Sequence, residues 1–332
     1  MSDGTLREDD GQARGPIEPH ELAQVSARAN AVIDEVQRVF VGTRTVPELL
    51  LVTLLARGHA LLEGVPGVAK TTLCKAFAAT LGSSFRRIQF TPDLLPADIT
   101  GTYVFSPKEG TFTLREGPIF ANVLLGDEIN RAPAKTQSAL LEAMQEQQAT
   151  IEGDTRALPA PFIVLATQNP VEQAGTYPLP EAQIDRFLVR ILIGYPAARD
   201  EKTVLRRFLE GSPEARRVLD DGEVRRLQAL VGRVHVEEEV LDYVVRLATY
   251  TRQQARVLLG ISPRASLALV SAARARALIA GRPFVLPDDV KALAVPVLAH
   301  RLVLTPEAEM EGTNRQDLVQ KALADVPHRR EA

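Results

Sequence analysis

The sequence predicts an α/β domain built on a parallel sheet, followed by a separate all-helical domain. Three observations carry this. Short apolar runs of strand length, such as ANVLLGD and FIVLAT, alternate with segments of helical periodicity. One such run, in LLEGVPGVAKTTL at residues 61–73, passes through a Gly-Val-Pro-Gly turn straight into a helix. From about residue 195 onward strand-like runs cease, and Arg, Glu, Leu and Ala recur at helical spacing.

In chain order, residues 1–18 are polar and mixed in charge and read as a disordered tail. Leu22, Val25, Ala29, Val32, Ile33 and Val36 recur at helical spacing and predict a helix over 21–40; a second, opened by Pro47, covers 47–57. Strands are expected at 59–63, 87–90, 121–127 and 162–167. Two hairpins interrupt the alternation, near 101–115 around SPKEG and near 149–158 around Gly153–Asp154. The α/β core is therefore placed at 19–194, the helical domain at 195–326, and a polar tail at 327–332. Pro263, Pro283, Pro287 and Pro296 punctuate the helices of the second domain.

Composition narrows the function. The chain has 332 residues, 45% of them hydrophobic, enough for about two cored domains. No apolar run reaches the roughly 20 residues that span a bilayer, the N-terminus lacks a signal-peptide core, and Cys74 is the lone cysteine. The expectation is a cytoplasmic protein without disulfides, with Cys74 a small buried side chain. A net charge of −3 gives no global electrostatic case for nucleic acid, and the five histidines lack metal-ligand spacing.

The chemistry concentrates at strand ends. Gly64, Val65, Pro66, Gly67, Val68 and Ala69 form a loop whose backbone N–H groups can cradle phosphates, and Lys70, Thr71 and Thr72 open the next helix. Lys70 suits the β- and γ-phosphates and the Thr71 hydroxyl suits Mg²⁺. Ala69 stands where the usual pattern has glycine, which is harmless if the helix has already begun there. Asp127 and Glu128 end an apolar strand; the first can hold Mg²⁺ with Thr71 and the second can polarise an attacking water, or the two can cap the next helix. Asn169 ends the next strand, where an amide can orient that water or simply start an Asn-Pro turn. Arg264 falls in the first turn of a helix capped by Ser262, where a cation opposes the helix dipole unless an anion such as a nucleotide phosphate is near. Arg186, just beyond the Asn169 strand, is expected too far from the phosphate-loop end of the fold to be an obvious ligand to its own chain's nucleotide. It reads either as an arginine finger for a neighbouring subunit, with Arg131 a weaker candidate, or as a salt-bridged or free surface charge. Val41 and Gly42, between the first two helices, either line an adenine pocket or cap a helix.

Taken together, RIQFTPDLLPADITG (87–101), EGPIFANVLLGDEINRAPAKTQSALLEAMQE (116–146), ATQNP (166–170), LPEAQIDRF (179–187) and SPRASLAL (262–269) resemble the MoxR family of AAA+ ATPases over most of the chain. The resemblance implies an AAA+ P-loop αβα core with a helical lid. It makes 64–71 the Walker A loop, Asp127–Glu128 Walker B, Asn169 sensor 1, Arg186 the trans-acting finger and Arg264 sensor 2 on the lid. The hairpins become the helix-2 insert and the pre-sensor-1 hairpin. It further implies ATP and Mg²⁺ as cofactors, a homo-oligomeric hexameric ring, a protein client, and a partner with a von Willebrand factor A domain on another polypeptide. A magnesium- or cobalt-chelatase-like motor subunit and a DNA-acting AAA+ motor are the rival readings.

Overall fold

The computed structural model describes residues 15, 17–65, 67–108, 110–169 and 176–329. The chain begins with two helices, α1 (Pro19–Val39) and α2 (Thr45–Leu55). Next come β1 (Ala60–Glu63), α3 (Lys70–Leu81), β2 (Phe85–Gln89), α4 (Pro96–Thr100) and the hairpin β3 (Gly101–Ser106) with β4 (Thr111–Glu116). β5 (Val123–Asp127) and α5 (Ala134–Glu146) precede a second hairpin, β6 (Gln148–Ile151) with β7 (Asp154–Ala157). β8 (Ile163–Gln168), α6 (Glu181–Ile184) and β9 (Val189–Leu192) complete this half.

The central sheet is wholly parallel, in the order β2-β5-β8-β1-β9. Successive side chains of a strand point to opposite faces, and here both faces are covered, which is why these strands read as unbroken apolar runs. Val123, Leu125, Ile163, Leu165 and Leu62 join one core with α1, α2 and α3. Leu124, Val164, Ala166 and Leu61 join a second core with α5. β2 lies at the sheet edge and is the more polar strand, with Ile88 its one buried residue.

The two hairpins touch. Thr102 donates to Glu152 at 3.1 Å and the Tyr103 hydroxyl donates to Asp154. Beyond them, Phe105 and Phe112 pack with tilted rings 5.3 Å apart and are both more than half exposed.

The C-terminal region is helical: α7 (Ala198–Glu210), α8 (Asp221–Val231), α9 (Glu238–Arg252), α10 (Pro263–Ile279), α11 (Pro287–Leu298), α12 (Pro306–Met310) and α13 (Arg315–Asp325). One short antiparallel ribbon, β10 (Val257–Leu259) with β11 (Val303–Leu304), departs from the all-helical expectation. Pro263 and Pro287 each open a helix, where a missing N–H costs nothing, whereas Pro296 sits in the last turn of α11 without ending it. Buried alanines 265, 272, 273, 275 and 277 make α10 thin enough to lie close against α1, α2 and α11. The helical region is thereby joined to the core through α1, α2 and β9. No described helix is long and apolar enough to cross a membrane. Cys74 is fully buried on α3, and burial pushes its thiol well above the usual range.

Candidate nucleotide site

The order β5-β8-β1 brings three strand ends together at the carboxyl edge of the sheet, the usual place for a ligand in such folds. Asp127 ends β5, Asn169 follows β8, and the loop from Gly64 follows β1.

The loop needs its glycines for different reasons. A Cβ at Gly64 would lie 2.3 Å from the Ile193 carbonyl oxygen, and Gly67 holds φ +86°. Ala69 corrects the sequence reading. It is not yet helical but left-handed, at φ 57° and ψ 28°, and α3 starts one residue later, at Lys70. A left-handed alanine costs roughly 1–2 kcal/mol, against about 0.5–1 kcal/mol for the extra chain entropy of glycine. Ala69→Gly is therefore expected to stabilise the protein by up to about 1.5 kcal/mol, read by urea denaturation. Pro66 lies outside the described residues, as do residues 1–14 of the expected tail and 330–332.

Lys70 Nζ donates to the Gly64 carbonyl at 2.5 Å, so the lysine already bends back over its own loop. Its pKa is lowered by burial, against the opposing pull of Asp127, Glu128 and Glu63. Those acids are close enough to keep the ammonium in their field, and a bound phosphate would add to it. Glu63 itself pairs with Arg190 on β9.

Asp127 and Glu128 do not cap a helix through their side chains. Glu128 adopts a left-handed backbone, φ 58° and ψ 50°, before a 3₁₀ turn at Ile129–Arg131, and makes no side-chain cap bond. Such strain in a non-glycine residue persists only where the surroundings hold it, and it clusters at working sites. The hold is visible. Arg87 donates to Asp127 Oδ2 at 2.6 Å, and Gln89 donates to Glu128 Oε2 at 2.8 Å. Arg131 pairs with Glu128 at 3.0 Å within the same chain. Farther on, Gln137 donates to the carbonyls of Ile129 and Ala132 and fixes the turn.

Sequence reasoning did not single out Thr167, which braces both acids. Its hydroxyl donates to Asp127 Oδ1 at 2.6 Å and accepts from the Glu128 N–H at 2.8 Å. At 1% exposure it has no solvent to fall back on. Thr167→Val leaves that N–H unpaired, an expected loss of about 1–3 kcal/mol in stability. Turnover is expected to fall with ATP affinity nearly unchanged, checked by denaturation beside steady-state kinetics.

Thr71 and Asp127 offer a hydroxyl and a carboxylate, hard oxygen donors of the kind Mg²⁺ takes alongside phosphate oxygens. Asp127 Oδ2 accepts from both Arg87 Nε and Nη2, but Oδ1 accepts from Thr167 and keeps a second lone pair, so the residues fit the ion through Oδ1. Asn169 is 5% exposed at the same edge. Val41 and Gly42 form the turn between α1 and α2, where Gln37 donates to the Gly42 carbonyl at 3.4 Å. The next residue, Thr43, shares a groove with Ile191 and Leu192, beside the Ile193 that abuts Gly64.

The two remaining arginines are elsewhere. Arg186 and Arg264 line one groove of ≈ 360 Å³ with Gly58, His59, Asp185 and Arg301. Gly58 and His59 precede β1, whereas the phosphate loop follows it; the strand between spans about 13 Å. Ser262 caps α10 as expected, accepting from the Ala265 N–H at 3.2 Å, but the anion beside Arg264 is Asp185, at 3.7 Å, and not the phosphate loop.

Residues 59–189 match the family described as "ATPase family associated with various cellular activities (AAA)", and residues 249–322 match the "AAA lid domain". The chain is 46% identical to "Chaperone MoxR1" of Mycobacterium tuberculosis over 313 residues, covering 92% of this chain and 83% of that protein. The chain belongs to the MoxR family of AAA+ ATPases. A second relative, "Uncharacterized protein YeaC" of Bacillus subtilis, is 47% identical over 89% of this chain and 92% of its own. The crystal structure of a proposed ATPase from Cytophaga hutchinsonii superposes with a TM-score of 0.87 at 41% identity, covering 93% of this chain and 97% of the other. The parallel core with its helical C-terminal region is thus the AAA+ architecture seen in this MoxR-family chain.

Proposed function

We propose that this MoxR-family protein hydrolyses ATP at the interfaces of a closed ring. Each chain supplies the phosphate loop, Asp127, Glu128 and Asn169 to one nucleotide, and Arg186 and Arg264 to the nucleotide of its neighbour. The observation that carries this reading is the separation just described. Two arginines share one groove at the amino-terminal side of β1, while the phosphate loop and acids occupy its carboxyl side. A head-to-tail contact brings the two sides together, and when its rotation closes it forms a ring, here six chains.

In this scheme the loop N–H groups and Lys70 bind the phosphates, with Val41 and Gly42 beside the adenine. Mg²⁺ held by Thr71 and Asp127 would spread the charge of the phosphate oxygens. Glu128 takes a proton from the attacking water, and Asn169 orients that water. Arg186 and Arg264 of the next subunit neutralise charge on the transferred phosphoryl group.

Assembly also suits α7, whose Val204, Leu205, Phe208 and Leu209 are 44%, 61%, 86% and 81% exposed along one stripe. The work done is remodelling or activation of a client protein in the cytoplasm. The exposed Phe105–Phe112 pair on the joined hairpins is a contact for that client, and a von Willebrand factor A domain protein acts as partner. The relative's name, chaperone, supports this direction.

The test is dilution. Turnover per chain is expected to collapse as the protein passes from assembled to monomeric, followed by sedimentation, while fluorescent ATP still binds the monomer. Constant turnover down to the monomer contradicts the proposal.

A further inference from the structure

We propose that Arg301 and Asp185 are a positioning pair that sets both trans-acting arginines and ties them to the helical domain; this rests on the reading that Arg186 and Arg264 act on a neighbour's nucleotide. Arg301 ends the 3₁₀ turn Ala299–Arg301 that follows α11, so it belongs to the helical domain. Its side chain is 4% exposed. A buried guanidinium is costly unless its five N–H donors are all met.

Here all five are met. Nε donates to Asp185 Oδ1 at 2.7 Å, Nη1 to the carbonyls of Leu188 at 3.3 Å and Val297 at 2.5 Å, and Nη2 to the carbonyls of Asp185 at 3.1 Å and Phe187 at 2.9 Å. Four of these five acceptors bracket Arg186 on both sides. The backbone that carries the finger is thus gripped from the helical domain by a single side chain. His300 adds to the grip, its Nε2 lying 3.1 Å from the Phe187 carbonyl.

The carboxylate extends the device. Asp185 Oδ1 accepts from Arg301, while Oδ2 faces Arg264 Nε at 3.7 Å. One carboxylate therefore stands between two guanidiniums, in a groove that also holds Arg186. Without it, four arginines, Arg57, Arg186, Arg264 and Arg301, would share the groove with no acid among its lining residues. With it, Arg264 and the backbone that carries Arg186 are tied to one carboxylate–guanidinium pair along a shared groove. Lysine cannot replace Arg301, because a point charge has neither the fork geometry nor the donor count for this set.

The test sorts variants by subunit mixing. Glu128→Gln has a dead site but intact arginines; Arg186→Ala has an intact site but lacks the finger. Arg301→Lys is expected to lower kcat roughly 10- to 100-fold with KM for ATP little changed, as for a remote misplacement of a catalytic group. Mixed with Glu128→Gln subunits it is expected to regain turnover, and mixed with Arg186→Ala subunits it is expected to regain none. Asp185→Asn is expected to sort the same way, and it carries the test if Arg301→Lys does not fold by circular dichroism. Wild-type kcat in both variants, loss of ATP binding, complementation of Arg186→Ala, or misfolding of both overturns the proposal. If Arg186→Ala and Glu128→Gln fail to complement each other, the trans reading has failed, and this proposal falls with it. If those two complement and the Arg301 variant does not, the positioning role alone has failed.

Discussion

Glu128→Gln is expected to lower ATP turnover about 10²–10⁴-fold, the range for loss of a positioned general base, while ATP still binds. The substitution keeps the size of the side chain and one oxygen to accept the Gln89 hydrogen bond, so the loop geometry survives. What it removes is the carboxylate that can take a proton from water. The phosphate contacts of Lys70 and the loop are untouched, because they come from the β1–α3 connection. Single-turnover hydrolysis beside equilibrium binding separates the two effects. Loss of binding would mean that the carboxylate holds the loop together and does no chemistry.

Arg186→Ala is expected to cost roughly 10³–10⁵ in turnover, the range for arginine fingers. The prediction carries a signature that a surface salt bridge does not. Arg186 lines a groove on the far side of β1 from its own phosphate loop, so its loss leaves the chain's own nucleotide affinity intact. Exposed ion pairs contribute about 0–1 kcal/mol, far too little to produce such a drop through stability. A fall of less than tenfold would return Arg186 to the role of a surface charge.

The buried strands were legible in the sequence because a parallel sheet covered on both faces selects apolar side chains at every position, as in ANVLLGD and FIVLAT. The edge strand β2 was harder. Its polar FRRIQ runs over Phe85–Gln89, whereas the apolar signal marks only its second half. The roles of Arg87, Gln89 and Thr167 were not legible, since each depends on register. Gln89 lies opposite Asp127, and Gly126 opposite Ala166 brings Thr167 beside Asp127. Nothing in the local sequence announces such cross-strand neighbours. Whether the helix has begun at Ala69 was not legible, because a helix start is a matter of one residue's backbone, and the structure holds Ala69 left-handed, one residue before α3. The surroundings of Arg264 were set by how α10 docks on α1 and α2, a long-range choice that its SPRAS sequence does not encode. Arg186 lines a groove beside Gly58 and His59, which precede β1.

The central claim is that one ATP is hydrolysed by two chains. Mixing Glu128→Gln subunits with Arg186→Ala subunits, each inactive alone, tests it most directly. The account predicts that an equal mixture recovers about a quarter of wild-type turnover, because about one interface in four pairs an intact site with an intact finger in a head-to-tail ring. A mixture as inactive as its components, with mixed assemblies confirmed by native mass spectrometry, would contradict the account.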